Sequence, residues 1–291
     1  MKRCAILTMD SLDDFEAYDD LLEKPLAELG WQMEMVSWRE PNVNWDQYDA
    51  VVIRSPWDYQ DDADAFMTVL EDIDNSSAHL ENSIDIVRWN IDKLYLKELE
   101  DSGVAIVPTI WRESFDANEI STFFSDLGVD QIVFKPRISA NADNTFWVTK
   151  TNYKSKLADM EKAFATRNFM VQPFVHSVIE EGEFSMFYFD GHYSHAILKT
   201  PKKDDFRVQE EHGGQLLSVE PESELLRCAK ASLEAIDSMP LYARVDLVRY
   251  QDSFALMEAE LIEPSLYFNM DEKSAARFAK AFVDKMQRIT L

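Results

Sequence analysis

An α/β fold that turns α+β toward its C-terminal part is predicted by three features of this sequence. Short apolar runs alternate with a helical repeat over the first eighty or so residues, the chain becomes strand-rich after Phe169, and two segments between Leu241 and Ile262 alternate cleanly between apolar and charged positions.

The elements follow in order. Cys4–Met9 is an apolar strand closed by the acidic stretch from Asp10 to Asp14. Leu21, Leu22, Leu26 and Leu29 recur at helical spacing and stop at Gly30, a helix-ending residue. Met33–Trp38 and Ala50–Ile53 read as further strands, so a small parallel sheet covered by helices is expected. Arg54-Ser-Pro-Trp-Asp-Tyr59 comes next, which puts Arg54 beyond the carboxyl end of a strand, where open α/β sheets bind ligands. A surface arginine stacked on Trp57 suits the same residues equally well. A new pattern opens near Asn90: Leu94, Leu96 and Leu99 lie in a helix ending around Gly103, and Val104–Val107 runs into Pro108. Gln131–Lys135 and Thr145–Thr149 are strands around a polar stretch, and Lys154–Ala165 is helical. Met170–Val175, Phe184–Asp190 and Tyr193–Thr200 are strands, the last two joined at the turn pair Asp190-Gly191. Leu225–Ile236 is an amphipathic helix, Leu241–Arg249 and Phe254–Ile262 form a strand pair, and Ser274–Ile289 is a terminal helix.

Composition narrows the function classes. A chain of 291 residues with 46% hydrophobic content holds two or three compact units. A net charge of −25 repels phosphate backbones and anionic lipids, which argues against nucleic-acid and membrane partners. A few local cations still suffice for a nucleotide. Cys4 and Cys228 give neither a disulfide framework nor zinc spacing, and no run approaches the roughly 20 apolar residues of a membrane helix, so a cytoplasmic protein is expected. The histidines form no ligand set; His176, His192 and His195 read as hinge or surface residues.

Chemistry concentrates in the strand pair. Arg244 and Asp246 share one strand face, and Glu258 and Glu260 share a face of the next. A connection of odd length centred on Asp252 sets Asp246 opposite Glu258 and Arg244 opposite Glu260. Three acids with one arginine repel one another, so either one pKa rises or a hard divalent cation sits among them. Magnesium with a phosphate ligand is the natural occupant. An exposed acidic sheet face is the competing explanation, and it predicts scattered acids rather than clean alternation. Lys135, at the end of an apolar run, and Lys93, at the head of a helix, are cations suited to phosphate, though neither is specific alone.

Taken in order, Lys93, Lys135, Gln172-Pro-Phe-Val175, Gly182-Glu183, Arg244-x-Asp246 and Glu258-x-Glu260 resemble the ATP-grasp superfamily. The likeness runs from about Asn90 to Ile289 and is nearest the branch of bacterial glutathione synthetase and D-alanine–D-alanine ligase. Arg54-Ser-Pro-Trp-Asp-Tyr59 and Arg88-Trp89-Asn90 lean toward the D-cycloserine-forming ligase type. The resemblance implies a Rossmann-like domain over residues 1–88, a lid subdomain over 89–172 and a catalytic subdomain over 173–291, with the nucleotide between the last two. It implies ATP and Mg2+ as cofactors. Lys93 and Lys135 would contact phosphates, Gln172 and the backbone of Phe174 and Val175 would hold adenine, and Glu183 would bind ribose. Asp246, Glu258 and Glu260 would ligate magnesium. Arg244 would stabilise the acyl phosphate and oxyanion, and Arg207 would sit near the γ-phosphate or acceptor carboxylate. Arg54 and Ser265 are candidate substrate residues; Ser265 and Glu263 serve equally well as a strand-end cap.

Two departures from the family stand out. The loop Ser139–Asn144 after Lys135 lacks the usual glycines, and Glu260 replaces a frequent asparagine. The expected reaction is an ATP-dependent ligation of a small carboxylate and an amine through an acyl phosphate, on an amino-acid-like substrate. A nucleotide-binding module without catalysis and a small-molecule kinase are the alternatives. Relatives commonly form oligomers, so a homo-oligomer is admitted.

Overall fold

Near-continuous apolar runs need cover on both faces, and the first sheet supplies it. In the computed structural model, which describes residues 1–13, 15–139, 143–202, 207–208 and 213–289, strands β1 (Lys2–Thr8), β2 (Trp31–Ser37), β3 (Ala50–Ser55) and β4 (His79–Glu81) pair in the order β2-β1-β3-β4. All pairs in this sheet are parallel. Helix α1 (Glu23–Glu28) covers one face, and helices α2 (Ala63–Asp74) and α3 (Ile84–Asn90) cover the other. Helix α1 is shorter than the leucine spacing suggests, because Leu21 and Leu22 lie in a preceding 3-10 turn.

The middle sheet, β5 (Ile110–Arg112), β6 (Gln131–Pro136), β7 (Phe146–Thr149) and β8 (Phe169–Pro173), is antiparallel in the order β5-β8-β6-β7. It packs on α5 (Ile120–Asp126) and α6 (Leu157–Ala163) through a core of its own, rich in phenylalanine. The third sheet holds β9 (Glu183–Phe189), β10 (His192–Thr200), β11 (Gln215–Ser218), β12 (Tyr242–Tyr250) and β13 (Ser253–Glu260), in the order β11-β10-β9-β12-β13. One of its faces packs on α4 (Tyr95–Asp101) and α8 (Ser223–Glu234). Its other face meets β1, α1 and the last helix, α9 (Ser274–Ile289), in a shared core. A short turn of helix, α7 (Ser177–Glu180), follows β8.

Val104–Val107 is not a strand, although Ile106 bridges to Leu256 and Val107 N donates to Leu256 O at 3.1 Å. This stretch and α4 share the core of the third sheet, so the expected middle unit, 89–172, contributes its first turns of chain to a neighbour. The expected loop Ser139–Asn144 has residues 140–142 outside the described residues, as are Asp205 and Phe206 beside Arg207.

Candidate active site

The strand pair is where fold becomes chemistry. Tyr250 pairs with Ser253, so the connection is the two-residue turn Gln251-Asp252, with Gln251 in the left-handed region at φ 54°. Such a turn alone would bring Met257 opposite Asp246. A bulge between Asp246 and Leu247 absorbs Met257 instead, and Asp246 faces Glu258 while Arg244 faces Glu260. The expected pairs therefore form by another route: the connection is even, and one extra residue restores the register.

β13 is an edge strand whose outer backbone groups need partners. The Tyr95 hydroxyl accepts from Ala259 N at 2.8 Å. The Asn90 side chain donates to Ala259 O at 2.9 Å and accepts from Leu261 N at 3.0 Å. Asn82 donates to Leu261 O at 2.7 Å and to Tyr242 O at 2.9 Å. These side chains hold the edge that carries Glu258 and Glu260.

On the face toward the cleft the charges interlock. Arg244 Nε lies 3.1 Å from Asp246 Oδ2, and its Nη2 donates to Glu260 Oε1. Ser185 Oγ donates to Asp246 Oδ1 at 2.5 Å. Lys199, only 3% exposed, sits 2.6 Å from Glu183 and 3.4 Å from Asp246. Burial alone would raise the Asp246 pKa, but the charges of Arg244 and Lys199 and the Ser185 hydroxyl hold it below the ordinary value. Glu260 goes the other way, to about 8: burial dominates, the nearby Glu258 and Asp246 add to it, and Arg244 only partly offsets them. Glu263 is likewise pushed by burial to about 7, against the pull of Lys93 and of a hydrogen bond from Tyr59.

Lys199 is the functional-site residue that sequence reasoning missed. The Asp190-Gly191 turn alone would align it with Gly182; a register shift between Tyr193 and His195 moves it opposite Glu183.

The other end of the cleft lies between β6, β8 and β13. Lys93 Nζ sits 2.9 Å from Glu258 and donates to Ser139 O at 2.8 Å. Lys135 Nζ is 3.4 Å from Met257 Sδ and makes no ion pair among the described residues; burial lowers its pKa, partly offset by Glu258 and Glu183. Gln172, 2% exposed, donates from Nε2 to Thr109 at 3.0 Å, while its Oε1 has no partner among the described residues. Phe174 stacks on Trp147 at 4.2 Å and 11°, and its amide donates to Gln131 O. The Val175 amide donates to no described residue. Glu183, Arg207 and Ser265 line the same cleft. One cleft thus gathers every expected site residue except Arg54.

Arg54 is neither a cleft residue nor a surface arginine on Trp57. It is 0% exposed, with Nε 3.1 Å from Asp19 Oδ1, Nη2 2.8 Å from Pro264 O and its guanidinium 5.0 Å from the Tyr242 ring centre. The reason is local: β3 is buried to its last residue, and the turn after β13 packs across its end. His195, expected at a hinge or surface, is also buried, stacked on Phe187 at 4.3 Å.

An unpartnered carbonyl oxygen at Gln172 and an amide at Val175 match the amine and ring nitrogen of an adenine edge. Lys135 is a half-buried cation with no anion among the described residues. Glu258 and Glu260 each carry one oxygen without a partner among the described residues, enough for the one or two carboxylates magnesium usually takes. Asp246 has both oxygens engaged, by Arg244, Ser185 and Lys199, and would have to release one. Among the described residues no three acids, histidines or cysteines are already gathered as a metal site, because Arg244 and Lys93 hold the acids instead.

The family model for the N-terminal domain of D-cycloserine synthetase DcsG matches residues 4–82. The cycloserine biosynthesis protein DcsG of Streptomyces lavendulae is 30% identical over 281 residues, which cover 89% of this chain and 90% of that protein. The crystal structure of D-cycloserine synthetase DcsG aligns with a TM-score of 0.87 at 27% identity, over 98% of this chain and 99% of that one. The ATP-grasp ligase PsnB, solved with a phosphomimetic variant of a minimal precursor, Mg and ADP, aligns with a TM-score of 0.67 at 14% identity, over 97% and 98%. That second likeness speaks for the fold alone.

Proposed function

We propose, from the premise that this chain belongs to the D-cycloserine synthetase DcsG family of ATP-grasp ligases, that its cleft activates a small amino-acid-like carboxylate as an acyl phosphate and delivers it to an amine. The chain is an ATP-dependent carbon–nitrogen ligase. The relatives' name makes D-cycloserine the first product to look for.

The observation that carries this reading is the pairing of two incomplete ends in one cleft. At one end stand a half-buried lysine without an anion among the described residues, an unpartnered Gln172 oxygen and the Val175 amide; at the other stand acids with oxygens to spare. Lys93 and Lys135 take the phosphates. Gln172 and the Val175 amide take the purine edge, beside the Phe174–Trp147 stack, and Glu183 takes the ribose. Glu258 and Glu260, joined by Asp246 once it releases an oxygen, hold Mg2+, which supplies charge neutralisation on the phosphates. Arg244 stabilises the acyl phosphate as it forms and then the oxyanion of the tetrahedral intermediate. Arg207 faces the γ-phosphate or a substrate carboxylate, and Ser265 faces the substrate. The cleft walls exclude water, which would otherwise hydrolyse the acyl phosphate.

We place the enzyme in the cytoplasm, without nucleic-acid or membrane partners; no described helix is long and apolar enough to cross a membrane. The units 1–88, 89–172 and 173–291 serve as substrate, lid and catalytic parts. A screen of acid–amine pairs for phosphate release, with product masses recorded, tests the reading. An amide-type product with ADP and phosphate supports it; a stable phosphorylated product would make the protein a kinase, and nucleotide binding without turnover would make it a binding module.

A further inference from the structure

The two lysines that face the phosphates are carried by different cores. Lys135 lies on β6, whose Ile132 and Phe134 belong to the phenylalanine-rich core of the middle sheet. Lys93 lies in residues 90–95, whose Tyr95 packs in the core of the third sheet. A triphosphate needs both cations at one spacing, and neither core sets that spacing by itself. Whatever joins the two cores at this point decides how well the lysines act together.

The join is specific. Arg137, just past Lys135, donates from Nε to Asp92 Oδ1 at 2.8 Å and from Nη2 to Asp92 Oδ2 at 2.5 Å. This bidentate pair is largely sheltered, with side chains 11% and 28% exposed. The backbone continues the join: Lys93 N donates to Arg137 O at 2.9 Å, and Lys93 Nζ donates to Ser139 O at 2.8 Å. Among the ion pairs between described residues, Asp92–Arg137 alone ties the middle sheet's unit to the rest of the chain. Asp92 Oδ1 also accepts from Leu94 N at 2.9 Å, which orients the carboxylate. On its other side the same segment grips β13, through Asn90 and Tyr95 on the backbone of Ala259 and Leu261. One short segment therefore links β6, which bears Lys135, to the strand that bears Glu258 and Glu260. Neither Asp92 nor Arg137 lines the cleft itself.

We propose that Asp92 and Arg137 are positioning residues for the nucleotide: their ion pair holds the middle sheet's unit against residues 90–95, so that Lys93 and Lys135 close on one triphosphate. Neither side chain touches the nucleotide. This rests on the ligase reading above and adds to it the pair that sets the phosphate grip.

The test titrates the full chain with Mg2+ and a non-hydrolysable ATP analogue by calorimetry, and with adenosine by NMR. Asp92→Asn is the sharper variant, because asparagine keeps an oxygen for the Leu94 amide while the ion pair is lost. Charge alone predicts tighter binding of the analogue once a carboxylate next to Lys93 is gone. Positioning predicts the opposite sign, binding about tenfold weaker, the scale of one charge-assisted hydrogen bond. Arg137→Met should lose the same factor, and the double variant no more than either single one, since all three break one pair. Adenosine, which reaches neither lysine, should bind all three variants as it binds the parent. Unchanged or tighter analogue binding in Asp92→Asn overturns the proposal. Additive losses in the double variant overturn it as well, because the two residues then act separately. So does a parallel fall in adenosine affinity, which makes the pair a prop for the whole cleft. Failure of the parent to bind the analogue takes down the ligase reading, and this proposal with it.

Discussion

Replacing Arg54 by methionine removes a guanidinium that the structure holds wholly inside the protein. Arg54 is 0% exposed and its partner Asp19 is 1% exposed, with 3.1 Å between Nε and Oδ1. Burial pushes the Asp19 pKa up, and Arg54 is the main group that opposes this, helped by a hydrogen bond from Ser55. Without the arginine, Asp19 remains as an uncompensated buried charge or takes a proton, at about 3–5 kcal/mol for a broken buried pair. A chain of this size shifts its melting temperature by about 2–4 °C per kcal/mol, so a drop on the order of 10 °C is expected. Adding Asp19→Leu should recover most of the loss, since both charges then leave together. Thermal unfolding of the two variants and the parent supplies the numbers. If Arg54→Met melts within a degree or two of the parent yet loses its substrate, Arg54 is a ligand and the reasoning fails.

Other outcomes follow from the same geometry. Lys135→Met should leave the nucleotide-free chain at least as stable, because the half-buried lysine has no anion among the described residues, and should weaken ATP binding about tenfold or more, read by titration; undiminished affinity contradicts the phosphate role. Asn90→Ala should cost about 1–3 kcal/mol in urea unfolding, since it leaves Leu261 N and Ala259 O without their partner. Burial holds the His195 pKa near about 4 against an ordinary 6.5, so the unfolded chain binds the proton first as pH falls. Its contribution is therefore lost between those two values, roughly 3 kcal/mol in all, and His195→Phe should flatten the parent's stability profile across that window; an unchanged slope speaks against it.

Much of the site was readable because strand alternation carries side-chain direction. Arg244, Asp246, Glu258 and Glu260 could be faced toward one another from their spacing, and the structure pairs them so. The route differs, since a bulge at Met257 corrects a two-residue turn, and bulges leave little trace in a pattern of apolar and polar positions. The same limit hid Lys199, whose register depends on a shift in β10. Arg54 misled for a different reason: its acid lies 35 residues earlier, and only the assembled fold shows that the end of β3 is covered. Helix α2 was legible in principle, with Phe66, Leu70 and Ile73 on one face and Asp62 capping it through Ala65 N.

The most direct test of the account labels the substrate carboxylate with oxygen-18 and weighs the phosphate released during turnover with ATP and Mg2+. An acyl phosphate must hand one labelled oxygen to phosphate when the amine displaces it. The account predicts labelled phosphate and ADP beside the amide-type product; unlabelled phosphate, or AMP with pyrophosphate, contradicts it.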